Sequence, residues 1–394
     1  MIENMPDSAT HNSLTPITSI HHKETPFLLL NRDKLERNVA RLRQHTDRFG
    51  VPLRPHLKTV KSVEAARLIL TDGHGPATVS TLKEAEVFSA AGCKDLIYAV
   101  GIAPQKLPRV AALLKAGTDI SIILDSLEQA HAVARFSREA GVKIPALIEI
   151  DSDGHRSGVI PGDNLLIEIG KVLHNEGAEL RGIITHAGES YHCKSLQEHQ
   201  AMAEKERAAA VACAEALRAA GLPSPVVSVG STPTAHFSQN LDGVTEVRAG
   251  VFTLFDLVMT GAGVCQTSDI ALSVVATVIG HQHQKGWIMV DAGWMAMSRD
   301  RGTAAQAIDQ RYGIVCDMAG HPLGDLIMVD VNQEHGILAL RPGSPQVLPD
   351  LPYGSRVRIL PNHACATVSQ HGEFTVIGDD SEEIEAVWPI IHGW

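Results

Sequence analysis

The sequence predicts an α/β protein: a (β/α)8 barrel of the TIM type, followed by a second, mainly antiparallel β domain. Two observations carry that expectation. Between residues 53 and 251, eight short apolar runs alternate with helical patterns. Beyond about residue 265 the helical periodicity stops, and strand-like runs separated by turns take over. Strands alternating with helices imply right-handed crossovers and a parallel sheet, and eight of them suggest closure into a barrel. An open doubly wound sheet is the competing arrangement, but no G-x-G-x-x-G follows the first strand.

Taken in order, residues 26–31 read as a strand. Residues 33–48 read as a helix, with Leu35, Val39 and Leu42 on one stripe and Gly50 just past its end. Barrel strands are expected at 53–58, 77–81, 95–100, 119–125, 146–151, 182–187, 226–231 and 246–251. The helices between them fall at 62–70, 82–91, 105–115, 127–140, 164–174 and 196–220. In the second domain, 270–281, 287–291, 326–331, 337–340, 356–360, 374–377 and 384–390 read as strands. The barrel is placed at 33–265 and the β domain at 266–394, with the strand at 25–32 joining the β domain. Residues 1–24, rich in Asn, Ser, Thr and His, read as a flexible extension.

Composition narrows the function. The 394 residues are 44% apolar but only 4% aromatic, so the core is built from Ala, Val, Ile and Leu. A net charge of -11 without a basic block argues against nucleic acid or an anionic membrane as partner. A small polar ligand is the expectation. Mean hydropathy is +0.02, and no apolar run approaches the ~20 residues that span a bilayer. The six cysteines show no paired spacing, which fits free thiols in a reducing cytoplasm.

Catalytic groups of a parallel barrel collect at the C-terminal ends of its strands. Those ends hold Lys58, Thr81, Asp125, residues 151–156 (DSDGHR), His186 with Tyr191, and Gly230-Ser231-Thr232. In extended backbone Arg54, His56 and Lys58 share a face. Cationic crowding there disfavours a further charge on the lysine and makes its amine a nucleophile suited to a Schiff base. Taken alone, the run is equally a solvated basic strand end. Gly230-Ser231-Thr232 follows the seventh strand, where barrels bind phosphate through backbone N–H groups. Lysine and phosphate site together point to pyridoxal phosphate.

Far along the chain, His363 and Cys365 continue the strand at 356–360, and their i, i+2 spacing places both on one face of an extended segment. Imidazole and thiolate suit a borderline-soft divalent ion such as Zn²⁺, and two protein ligands leave positions open for water or substrate.

With these residues in view, 54–59 (RPHLKT) and 362–365 (NHAC) resemble the cofactor-lysine and metal motifs of the D-serine dehydratase / D-threonine aldolase family. The blocks at 153–158, 185–188, 230–234, 290–300, 332–336 and 392–394 extend the resemblance over nearly everything from Thr25 to Trp394. It implies the alanine-racemase-like arrangement of fold-type III pyridoxal phosphate enzymes, often homodimers, and a carbon–oxygen lyase that eliminates water from a D-3-hydroxy amino acid to give a 2-oxo acid and ammonia. Lys58 would carry the cofactor and act as the base at Cα. Gly230, Ser231 and Thr232 would cradle the phosphate, Tyr191 would meet the pyridine nitrogen, and Arg156 would lie near the ring. His363 and Cys365 would hold the metal, Zn²⁺ first, with Mn²⁺ and Co²⁺ as alternatives. Arg299, Arg301 and His335 are candidates for a second substrate carboxylate.

The aldolase branch, which would give glycine and an aldehyde, tends to have a carboxylate where this chain has Cys365. Racemisation would require a tyrosine base from the β domain, and Tyr312 and Tyr353 lie in no matching motif. A non-catalytic pyridoxal phosphate carrier would resemble the barrel alone.

Overall fold

The computed structural model describes residues 18–394. Most of the extension expected over residues 1–24 lies outside them. Its last residues are pinned: Ser19 bridges Glu383, Ile20 is fully buried, and Arg356 Nη1 donates to the Ile20 and Lys23 carbonyls at 2.7 Å.

The first strand, β1 (Phe27–Asn31), is buried along its whole length. Asn31 then caps the helix Arg32–Asp47, its side chain accepting the Lys34 N–H at 2.9 Å. Eight strands follow: β2 (Leu53–Pro55), β3 (Ala77–Val79), β4 (Asp95–Gly101), β5 (Asp119–Leu124), β6 (Pro145–Ile150), β7 (Glu179–Thr185), β8 (Val226–Val229) and β9 (Glu246–Ala249). They lie in the order β2-β9-β8-β7-β6-β5-β4-β3, every pair parallel. A parallel bridge between His56 and Thr78 joins the two ends and closes the barrel.

Strand alternation sorts the barrel side chains. Ile97, Ile123, Leu147 and Ile184 form a small inner cluster, while their neighbours Leu96, Tyr98, Ile122 and Ile148 pack into the main core. The end where β3 and β4 begin is filled by charge instead. Arg54 donates to Glu246 at 2.7 Å and to Asp95 at 2.7 Å, and Ser228 donates to the other Glu246 oxygen at 2.5 Å.

The second sheet has nine strands and includes β1. The others are β10 (Leu272–Gln282), β11 (Trp287–Val290), β12 (Ile314–Cys316), β13 (Pro322–Val331), β14 (Gly336–Leu340), β15 (Arg356–Leu360), β16 (Glu373–Ile377) and β17 (Ala386–Pro389). Their order is β11-β14-β13-β12-β15-β10-β1-β16-β17, and an extra β11–β10 pairing closes six of them on themselves. All pairs are antiparallel except β1 with β16. The short β12 was not anticipated: it spans three residues, too few for a periodic pattern to register.

The two sheets meet through backbone. Leu257 and Val258 donate N–H groups to the carbonyls of Pro361 and Asn362 at 3.1 and 3.2 Å. Ile391 donates to Lys61 at 2.6 Å.

The buried Arg54 cluster is a point of high sensitivity, because removing one partner strands charges that were paired. Arg54→Ala is expected to destabilise the protein by about 3 kcal/mol, read as a lower midpoint in thermal unfolding. An unchanged midpoint would show that Glu246 and Asp95 find other partners.

Candidate active site

Lys58 does not end a strand. Ladder pairing stops at Pro55 apart from the His56 bridge, and Leu57–Thr59 forms one 3-10 turn in which His56 Nδ1 accepts the Lys58 N–H at 3.4 Å. The expectation that Arg54, His56 and Lys58 crowd one face is therefore corrected. Arg54 runs to the far end of the barrel, where Glu246 and Asp95 neutralise it, and the turn carries Lys58 out of the strand's alternation.

Lys58 and His56 line a cavity of about 1010 Å³ at the C-terminal mouth of the barrel, shared with Arg156, His186, Tyr191 and Arg248. Burial lowers the pKa of His56 well below the ordinary range and that of His186 to about 3, with the Lys58 charge adding to both. Both imidazoles are thus neutral walls. His186 Nδ1 donates to the Gly230 carbonyl at 3.0 Å. Tyr191 stands 6.2 Å from the His186 ring, its phenol pushed up by burial. Arg156 is an exposed guanidinium at the rim, 3.6 Å from Glu149. Arg248, by contrast, is buried, with a pKa lowered to about 10 by desolvation, and donates to Ser228 at 2.6 Å.

Gly230, Ser231 and Thr232 line the same cavity, joined by Gly250 and Val251 from the loop after β9. Gly230 has φ of +136°, and a Cβ there would sit 2.0 Å from the Arg248 carbonyl oxygen, so no other residue fits. Ser231 caps the Thr234 N–H at 3.2 Å and meets Ser190 at 2.7 Å, while Thr232 Oγ1 accepts the Phe252 N–H at 3.2 Å. These hydroxyls are engaged in shaping the loop. A phosphate group fits the cradle that the glycine opens; the Gly230 and Ser231 N–H groups are taken by Glu206 and Thr234 Oγ1, so its donors would be the amides that follow them in the loop.

His363 and Cys365 are brought together, but not as expected. The strand ends at Leu360. His363 precedes the helix Ala364–Val368 and Cys365 lies in its first turn. A turn, rather than extended alternation, turns both side chains to the cavity. His363 Nδ1 donates to Asp300 at 2.7 Å, which leaves Nε2 as the free donor atom. Burial opposes charge on His363, yet its hydrogen bonds to Asp300 and Cys365 raise its pKa to about 11. Burial likewise opposes the Cys365 thiolate, and the hydrogen bond and charge of His363, then Lys58, bring its pKa below the ordinary thiol value. Among the described residues no set of three or more His, Cys, Asp or Glu side chains forms a metal cluster. The chemistry is that of a two-donor N,S site with a carboxylate behind the imidazole, and it fits a divalent ion with open positions.

One contact ties the two motifs into a single site. Thr59, next to Lys58 and fully buried, places Oγ1 3.3 Å from Cys365 Sγ. Buried Asp256 secures the His363–Cys365 turn from the barrel side, accepting the Ala364 N–H at 2.9 Å and the Met259 N–H at 3.0 Å.

Arg299, Arg301 and His335 do not line the cavity: Arg301 pairs with Asp309 at 2.7 Å, Arg299 lies over Trp294, and His335 is exposed. Sequence reasoning missed Arg248, Asp256 and Asp300. A charged residue within an apolar barrel strand was the signal for Arg248. Asp300 stood in the 290–300 block without a role.

Comparison with known proteins agrees with this fold. Residues 30–257 match the family model for the alanine racemase N-terminal domain, and residues 271–377 the model for a putative serine dehydratase domain. D-threo-3-hydroxyaspartate dehydratase of Delftia sp. (strain HT23) is 53% identical over 374 residues, 94% of this chain and 98% of that protein. The chain belongs to the alanine-racemase-like D-serine dehydratase family. Within that family, D-serine dehydratase of Dictyostelium discoideum is 27% identical over 95% of this chain and 98% of its own length. A solved mutant of D-threo-3-hydroxyaspartate dehydratase in the metal-free form superposes with a TM-score of 0.91 at 51% identity, covering 95% of this chain and 100% of that one.

The carboxylate behind His363 sets the ring so that Nε2 faces the cavity. Asp300→Ala is expected to weaken divalent-metal binding about 10- to 100-fold, measured by titration of the metal-stripped protein. Equal affinity in both proteins would remove Asp300 from the site.

Proposed function

We propose that this protein is a pyridoxal-phosphate- and divalent-metal-dependent dehydratase. It eliminates water from a D-3-hydroxy amino acid, D-threo-3-hydroxyaspartate foremost, to leave a 2-oxo acid and ammonia. The observation that carries the reading is the Thr59–Cys365 contact, which sets the lysine and the His363/Cys365 pair on one cavity. The substrate's configuration and identity follow the relatives' names.

When bound, pyridoxal phosphate supplies an electron sink for charge at Cα, and the divalent metal a Lewis acid for the departing hydroxyl. The chain's residues divide the remaining work. Lys58 Nζ anchors the cofactor and afterwards takes the Cα proton. Gly230, Ser231 and Thr232 would hold the phosphate, with Tyr191 and Arg156 on the side of the ring. His363 Nε2 and Cys365 Sγ would hold the metal, Zn²⁺ foremost. Asp300 keeps the imidazole in the tautomer that can ligate. Ile123, Ile184, Val258 and Met259 give the cavity apolar walls that limit water around the reacting carbon.

Hydroxide is a poor leaving group, so a base at Cα without metal at Cβ does half the task. The neutral His56 and His186 matter here. They wall the lysine without adding further cations beside it.

Lys58→Ala is expected to abolish both turnover and the visible absorbance of the bound cofactor. Survival of either would remove the lysine from its role. A panel of D- and L-3-hydroxyaspartate, serine and threonine, with and without chelator, tests the reaction. Ammonia with a 2-oxo acid from the D-isomers, lost on chelation and restored by metal, is the expected result. Glycine or an aldehyde would replace elimination with aldol cleavage. Cofactor binding without metal-sensitive turnover would leave only a carrier.

A further inference from the structure

The helix Leu196–Ala219 buries a largely apolar stripe, among it Ala203, Ala210, Cys213 and Leu217. One member of that stripe is a glutamate. Glu206 is 2% exposed, in a position where the pattern calls for an apolar side chain. A buried carboxylate is costly unless its oxygens are used.

They are used by backbone. Glu206 Oε1 accepts the Ala187 N–H at 2.9 Å and the Gly230 N–H at 3.0 Å. Beside them Thr234 completes the reciprocal cap with Ser231. Ala187 and Gly230 belong to two different loops. The first follows β7 and leads through the turn Gly188–His192 to Tyr191. The second follows β8 and continues into Ser231 and Thr232. A single carboxylate oxygen therefore joins the two loops that line the cavity.

The Gly230 residue is held on both sides, its N–H by Glu206 and its carbonyl by His186. Without the clamp, a glycine at this φ is free to reorient, and the amides after it lose their fixed aim. A hydrophobic residue at 206 would leave two buried N–H groups unpaired.

We propose that Glu206 is a positioning residue for the phosphate end of the site, clamping the loops at Ala187 and Gly230 so that Gly230-Ser231-Thr232 is preformed for the cofactor's phosphate. The proposal rests on the reading of pyridoxal phosphate as cofactor. Burial raises the Glu206 pKa above the ordinary carboxylate value, and the Ala187 and Gly230 N–H groups oppose that shift.

The test uses the full chain stripped of cofactor and titrated separately with pyridoxal phosphate and with pyridoxal, which lacks the phosphate. Glu206→Ala is expected to raise the Kd for pyridoxal phosphate about tenfold or more while changing that for pyridoxal less than about twofold. Glu206→Gln keeps an oxygen that can accept both N–H groups, and should stay within about threefold of the unaltered protein for both ligands. Should Glu206→Ala not fold, Glu206→Asp carries the test. Its shorter reach keeps the charge and loses the clamp, so the same selective weakening is expected. Unchanged affinity for pyridoxal phosphate in these variants would overturn the proposal, as would equal weakening toward both ligands, the mark of general structural damage. Failure of the unaltered chain to bind pyridoxal phosphate is a different result: it would overturn the cofactor reading and the proposal with it.

Discussion

The site depends on one junction, where the turn after β2 meets the turn after β15. Thr59 is buried between Cys365 on one side and Gly250 on the other, where a Cβ would come within 3.0 Å of its hydroxyl. The lysine, the loop after β9 and the His363–Cys365 turn are thus packed against one small side chain. No single element carries both the lysine amine and the His363/Cys365 pair. The junction brings them together from opposite ends of the chain.

Charge is distributed to suit that junction. Two cations are drawn away from the mouth: Arg54 is neutralised by Glu246 and Asp95, and Arg301 by Asp309. Histidines near Lys58 are kept neutral by burial, whereas His363 is held by Asp300 and Cys365. The same residue type takes opposite roles because a neighbouring carboxylate is present in one case and absent in the other. Glu206, Asp256 and Asp300 share a further habit. Each spends its oxygens on backbone amides or an imidazole, and so positions a loop rather than reacting.

Much of the fold was legible because its signals are local. The apolar runs and intervening helices at residues 53–251 follow from periodicity, and all eight barrel strands fall within the expected runs or within a few residues of them. Strand-end positions then pointed to Lys58, Tyr191 and Gly230-Ser231-Thr232, all of which line one cavity. The errors arose where extension was assumed to persist. At Pro55 and Leu360 the ladder ends or thins to a single bridge, and Lys58, His363 and Cys365 are placed by turns that a period of two does not describe. Candidates for a second carboxylate failed for a related reason: Arg299 and Arg301 are charged in sequence but already matched to Trp294 and Asp309 in space.

By itself the sequence determined the alternation of elements, the change to a mainly β region beyond residue 265, and which positions carry chemically reactive side chains. Hydrophobic periodicity and residue chemistry are properties of neighbouring positions. Only the tertiary structure decided which of those side chains meet. Thr59 and Cys365 lie 306 positions apart, and Glu206 reaches back 19 positions and forward 24 to its two loops. Such contacts depend on barrel closure and on the packing of one sheet against the other, and no local pattern encodes a partner at that distance.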